Sequence, residues 1–416
     1  MTGKILPGSL HRSARAVVTC RLLPGVTNTR ARYRCWPKLI SLQAGIVFLL
    51  AVSATFVLTA GALGQQHATA KDQSSVGLPK CTDPLASVEV PSAPHGLFVL
   101  LFPDARVNAK ATAHLLHTPT VCGADVFIVW KKVDRGPGAN PRYDWSSVDE
   151  QIAPWVKAGK RINLIVWATT YGARGSATPD YVFAKVASVE CPSFGHVPVF
   201  WDPTFMNDYQ SFMSAVVGKY GKGASIGYVR FGLGAGGEIF PACRYALKDH
   251  GFSRETWRKY LFEMLDYEKS LNSPKQLAVG LNAWDEPPDF RFTAEVAEHA
   301  VQNGIAIGNQ GLTVEDGRND AAGRACMADW CQLFRRFHGK VPLVLQTGGA
   351  SHPDGSGPAG SMVEMLPFAL SLHAQVFELY VDDWLVAYDP SDPNYPRHHE
   401  EYQKAYESAA KVLGGN

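Results

Sequence analysis

The chain has 416 residues, enough for two or three ordinary domains or one large barrel with extras. It is 46% hydrophobic, 11% aromatic and 19% charged, which supports a large core and excludes wholesale disorder, collagen and coiled coil. Lys plus Arg number 40 against 38 Asp plus Glu; a net charge of +2 without a basic-aromatic patch argues against a nucleic-acid partner.

Residues 1–38 hold eight basic residues and no acid, and read as a basic cytoplasmic tail. Residues 39–64, LISLQAGIVFLLAVSATFVLTAGALG, hold no charge and are long enough to cross a bilayer as a helix. They are either an anchor or a signal core cleaved after the small-x-small step Ala62-Leu63-Gly64. Both outcomes export the rest: a barrel outside the cytoplasm on a membrane anchor, or a secreted or periplasmic protein. Beyond residue 64 the balance is 32 basic against 38 acidic, or −6.

Cys20 and Cys35 precede the apolar segment. Cys81, Cys122, Cys191, Cys243, Cys326 and Cys331 follow it, an even number that reads as disulfides. Spacing leaves the pairing open; the sequential set is Cys81–Cys122, Cys191–Cys243 and Cys326–Cys331. No CxxC pair suggests zinc or redox chemistry, and no cofactor or metal is expected.

Residues 65–94 are small, polar and proline-bearing, and read as a linker. From 95 to 416 short β-branched runs alternate with longer amphipathic stretches. The runs lie at 96–103, 125–133, 161–170, 226–234, 276–284, 304–312, 341–349 and 376–384. Between them lie helical patterns such as WSSVDEQIAPWVKAGK, where Ser146 is a candidate cap. Eight β-then-α units predict a (β/α)8 TIM barrel. The alternative, a doubly wound sheet, would place a phosphate-binding glycine turn after its first strand, and GLFVLLFPDAR has none.

A barrel builds its site at the C-terminal strand ends. Those ends carry Trp130, Trp167, Glu238, Asn282, Trp284, Asn309, Gln346 and the stretch Glu378 to Trp384, including Asp382. Aromatic faces stack on sugar rings, and amides and carboxylates pair with hydroxyls. The plain alternative is that barrel ends are polar because they meet water. Trp130, Trp167, Asn282, Trp284, Asn309, Gln346 and Trp384 are the candidate contacts to a carbohydrate.

The segment WKKVDRGPGANPRYDWSSVDEQIAPWVKAGKRINLIVWATT resembles the second and third units of retaining glycoside hydrolases of clan A, the cellulase and β-galactosidase superfamily. The matching residues are Tyr143, Asp144, Trp145, Val148, Asp149, Gly159, Lys160 and Leu164. WDPTFMNDYQSFMSAVVGKYG resembles the helix before the fourth strand, and YVRFGLGAGGEIFP the fourth strand itself. The resemblance covers most of residues 95–390. It implies Glu238 as general acid/base, because glycoside cleavage needs one carboxylic acid on the leaving oxygen and a second carboxylate opposite. It also implies a glutamate nucleophile at the seventh strand end, where this chain has Gln346, and an Asn before the acid/base, where it has Gly237. The second carboxylate then comes from Glu378 or Asp382 on the eighth strand, or from Asp285 or Glu286 after the fifth, or hydrolysis is lost and the barrel only binds glycan. For Glu378 the competing role is an internal salt bridge with Arg230. A carboxyl separation of roughly 5 Å would mean retention and a larger one inversion.

Three other motifs carry less. Gly232, Gly234 and Gly237 spell G-x-G-x-x-G, but Glu-Ile-Phe-Pro follows instead of a helix. His398-His399-Glu400-Glu401 points different ways around a helix, which argues against a metal site. SHPDGSGPAG at 351–360, a glycine-rich loop after the seventh strand, reads as a candidate mobile lid over the mouth. The expected function is glycoside hydrolysis outside the cytoplasm, with an inactive carbohydrate-binding barrel as the alternative and a barrel enzyme on a non-sugar substrate as a third.

Overall fold

The computed structural model describes residues 94–169, 176–192, 194–283, 290–317, 326, 328–357 and 359–413. The tail, the apolar segment 39–64, the linker up to residue 93, Cys81, Trp284, Asp285 and Glu286 lie outside the described residues. Among those described, no helix is long and apolar enough to cross a membrane.

Eight parallel strands close into a barrel, each beside its neighbours in sequence. They are β1 (Gly96–Leu101), β2 (Val121–Val129), β3 (Arg161–Trp167), β4 (Ile226–Phe231), β5 (Gln276–Leu281), β6 (Ala306–Leu312), β7 (Leu343–Thr347) and β8 (Val376–Tyr380). Helices follow the strands around the outside, as in a (β/α)8 barrel. The last, Tyr395–Leu413, packs on Met362–Ser371 and Val381–Tyr388. A small antiparallel hairpin, Ser188–Cys191 with Gly195–Pro198, is inserted before β4. Cys191–Cys243 ties this hairpin to the chain after β4, and Cys326–Cys331 closes a short loop. Closing a 52-residue separation stabilises by about 4 kcal/mol on the chain-entropy account.

Side chains of a strand alternate between its two faces. The outward residues Val99, Val126, Leu164, Val229 and Ile307 join the main core under the helices. Phe98, Tyr228, Ala278, Ala306, Val344 and Val376 form a separate cluster low in the bore. Leu100, Phe127, Ile165 and Trp167 form another above it.

Two strands are shorter than the apolar runs suggest. β2 ends at Val129, and Trp130–Val133 is a helical turn; β8 ends at Tyr380, and a helix starts at Val381. Ser146 is the first helical residue and not the cap. The cap position is Trp145, which makes no side-chain bond to the helix; Asp144 just before it accepts at Oδ1 from the Ser146 backbone N–H at 3.1 Å and from the Ser146 hydroxyl at 2.7 Å.

The residues that carry the family resemblance in the second unit turn out to hold the scaffold. Asp149 accepts from Lys219 Nζ and the Tyr220 hydroxyl, each at 2.9 Å, pinning the second helix to Pro203–Tyr220. Lys160 donates to the carbonyls of Thr118 (2.8 Å) and Val121 at the foot of β2, and burial lowers its pKa to about 8.

Helix Arg254–Ser270 carries Glu268 facing inward, fully buried, with neither carboxylate oxygen hydrogen-bonded. Burial raises its pKa well above the ordinary 4.5, so the folded protein holds the neutral acid. The unfolded chain releases that proton near pH 4.5, so stability falls as pH rises from there through the raised folded value. Glu268→Leu is expected to raise stability by about 1–3 kcal/mol at neutral pH and to flatten this slope. Denaturant midpoints at pH 5 and pH 8 check it; an unchanged slope contradicts it.

Candidate active site

The mouth opens at the C-terminal ends of the strands as a cavity of about 690 Å³. Its lining divides into two walls. Phe102, Phe127, Trp167 and Tyr380, from β1, β2, β3 and β8, make the aromatic wall. Phe102 stacks on Phe127 at 4.7 Å and on Tyr380 at 5.5 Å, and Phe127 meets Trp167 at 4.6 Å. Glu238, Asn282, Gln310 and Gln346 make the polar wall, and Asp104 and Asp382 complete the rim.

Glu238 lies seven residues past the end of β4 and is brought back by a tight loop. The Gly234 N–H donates to the Glu238 carbonyl at 2.6 Å, and the Glu238 N–H donates to the Ala235 carbonyl at 3.1 Å. The Ile239 N–H donates to the Gly280 carbonyl at 2.9 Å, fixing the loop onto β5. Gly237 has φ +88, and a Cβ there would sit 3.1 Å from Trp167 Nε1. A Cβ on Gly232 would meet the Gly237 Cα at 2.6 Å. These glycines are therefore needed for the return of the loop, which accounts for the G-x-G-x-x-G spacing without a nucleotide. The Glu238 side chain is 5% exposed, and its Oε2 accepts from Asn282 Nδ2 at 2.7 Å. The Gln310 amide donates to the Gly237 carbonyl at 3.2 Å and braces the loop from β6.

Asp382 is exposed in the first turn of helix Val381–Tyr388. Beside it Asp383 turns back into the protein, where its Oδ1 accepts from the Ser351 N–H at 2.6 Å and burial raises its pKa to about 7. Gln346 donates to the Tyr380 hydroxyl at 3.3 Å. Burial pushes the Tyr380 hydroxyl up to about 12, so it is protonated at neutral pH.

Glu378 is placed below the mouth. It is 0% exposed and pairs with Arg230 Nη1 at 2.8 and 3.0 Å. The Tyr228 hydroxyl donates to it as well, and lies 3.2 Å from Asp125 Oδ1, which accepts from Asn163 Nδ2 at 2.8 Å. This network crosses the bore from β2 and β3 through β4 to β8. Burial, and next the Glu378 charge, hold Asp125 well above the ordinary carboxyl range. Arg230 is thus bonded to Glu378, with Asp125 held toward its neutral form across the Tyr228 hydroxyl.

The other expected contacts are distributed as follows. Trp167, Asn282 and Gln346 line the cavity. Trp130 is fully buried behind β2, against Phe205, Tyr209 and Phe212, and its Nε1 donates to Asp134 at 3.1 Å. Trp384 is buried against Tyr406 and Tyr388 of the outer layer. Both fall outside the mouth because the strand ends one to four residues before them and the helical turn rotates them away. Asn309 is buried, its Oδ1 taken by the Gly311 N–H, while its neighbour Gln310 faces the cavity. The sequence places Asn309-Gln310 together at a strand end and favours Asn309, where the cavity takes Gln310; it gives no expectation for Phe102, Phe127 or Asp104 as cavity residues. Alternation in phase with Leu100, Asp125 and Gly308 marks Phe102, Phe127 and Gln310. Asp104 is masked by a second role, since its Oδ1 caps helix Ala105–Leu115.

Among the described residues no three His, Cys, Asp or Glu side chains are placed to hold a metal ion. His398 Nδ1 lies 2.6 Å from Glu401 and His399 Nδ1 2.7 Å from the Tyr395 carbonyl. The described part of the 351–360 loop does not line the mouth.

No protein-family model matches the sequence, and no curated protein matches it. Solved structures do. The chain is similar to the catalytic domain of β-amylase from Paenibacillus polymyxa, at 11% identity and TM-score 0.54, over 76% of this chain and 98% of that one. It is also similar to β-galactosidase from the psychrophilic Marinomonas ef1 (9%, TM-score 0.44, 76% of this chain) and spans 59% of that chain. A third is β-mannanase from the blue mussel Mytilus edulis (8%, TM-score 0.43, 78% and 94%). At these identities the likeness shows the fold alone, a (β/α)8 barrel.

Proposed function

We propose that this protein is a glycoside hydrolase in which Glu238 is the general acid/base and Asp382 the second carboxylate. The observation that carries this is one cavity holding both carboxylates against an aromatic wall. Glycoside cleavage needs that set: an acid for the leaving oxygen, a carboxylate opposite, and a surface for the ring. Asn282, bonded to Glu238 Oε2, orients the acid. Glu378 is assigned to the interior network and not to the reaction, because Arg230 and Tyr228 already occupy it. Carbohydrate is the proposed partner, and the two disulfides fit an oxidising compartment outside the cytoplasm. Residues 39–64 would direct the chain there, as anchor or cleaved signal.

Asp382→Asn is expected to lower kcat by a factor of about 10²–10⁴ with the fold unchanged, since the side chain is exposed. Kinetics on aryl glycosides check it. Full activity in this variant would move the second carboxylate to another residue. One observation favours the second reading, a barrel that binds glycan without cleaving it: the β7 position that holds the nucleophile in the resembling enzymes is Gln346, an amide bonded to Tyr380.

A further inference from the structure

A second cleft, of about 450 Å³, lies between helix Ala105–Leu115 and helix Ser146–Lys157. It shares Asp104 and Phe127 with the mouth, so those side chains border both spaces. Each is within the ~300–1,000 Å³ of small-molecule sites. A cleft of about 430 Å³ between helices Pro203–Tyr220 and Arg254–Ser270 has no residue in common with the mouth, so adjacency of this kind is not general to the barrel's outer grooves.

The chemistry of the second cleft is that of hydroxyl recognition. Asn108 Nδ2 donates to Gln151 Oε1 at 3.4 Å across the two helices, and Asn108 Oδ1 is buried with no hydrogen-bond partner. Trp155, fully buried in the same lining, has an indole N–H with no partner. One neutral acceptor and one neutral donor without partners are costly in a fold unless something pairs with them. Lys132 at the edge is exposed.

We propose that this cleft is a second glycan subsite, beside the mouth across Asp104 and Phe127, and that the protein takes a neutral oligosaccharide chain instead of a single sugar. The proposal rests on the glycan reading of the mouth. Ala109 is exposed in the cleft lining, so Ala109→Trp fills the space from the surface without entering the core. The test is calorimetric binding of ladders of two to six residues of β-1,4-glucan, β-1,4-mannan and α-1,4-glucan to the full chain. Affinity should rise about tenfold from the shortest to the longest members of one ladder, and Ala109→Trp should remove that rise while leaving the shortest member's affinity unchanged. Gln151→Ala, which removes one amide and adds no bulk, should lower the rise in the same direction. Binding that does not grow with length, or a rise untouched by both variants, overturns the subsite and leaves the mouth's assignment standing. No binding of any ladder overturns both.

Discussion

Glu238→Gln is expected to remove turnover, by a factor of about 10²–10⁴ or more, while glycan binding survives. The substitution keeps shape and the capacity to take a hydrogen bond from Asn282, so the loop that returns to β5 stays closed. What disappears is the proton for the leaving oxygen. An aryl glycoside whose leaving group needs no protonation should lose least, and one with a poor leaving group most. That graded loss identifies an acid; a uniform loss across leaving groups would point to a damaged site instead. The loop itself does not depend on the carboxylate, because its closure is made by backbone bonds and by the close approach of Gly232 to Gly237.

The second large effect concerns stability. Removing one partner of the buried Arg230–Glu378 pair, as in Arg230→Met or Glu378→Leu, is expected to cost about 3–5 kcal/mol. Both side chains are at most 1% exposed, so each single variant strands the other charge inside the bore. Glu378→Leu also removes the acceptor of the Tyr228 hydroxyl. The double variant Arg230→Met/Glu378→Leu should recover most of the loss, since a matched apolar pair in place of a buried ion pair is often neutral. Denaturant unfolding of the two singles and the double checks this, and additive losses would contradict it. The same variants bear on chemistry: the double variant, once folded, should keep its turnover, because Glu378 stands below the mouth and not in its lining.

The barrel is legible in the sequence because its signal is repeated eight times. Each unit is a short β-branched run and a longer amphipathic stretch, and every one of the eight runs overlaps a strand. The site is less legible, for two physical reasons. Strand ends are set by hydrogen bonding and not by hydrophobicity, so apolar runs overrun them; Trp130 and Trp384 look like rim residues by run length and are rotated into the outer core by one helical turn. Charge inside a strand also has two uses that composition cannot separate. Glu378 in β8 is as unusual as a catalytic carboxylate would be, and the residue that pairs with it, Arg230, sits 148 positions away. The family motif is informative about a different link. Asp144 holds Ser146 at the start of the helix, Asp149 bridges it to Lys219 and Lys160 anchors the second unit, so their presence speaks for the scaffold, not for the reaction.

The most direct test of the central claim is product release by the purified chain, disulfides intact, from a panel of aryl glycosides and polysaccharides, run beside Glu238→Gln. The account predicts cleavage of at least one member by the natural protein, and in the variant a loss that is greatest for members with poor leaving groups. Undiminished cleavage of a member whose leaving group needs protonation would contradict the assignment of the acid. A panel that binds but stays uncleaved would contradict hydrolysis and leave a glycan-binding barrel, with Gln346 where the nucleophile would stand.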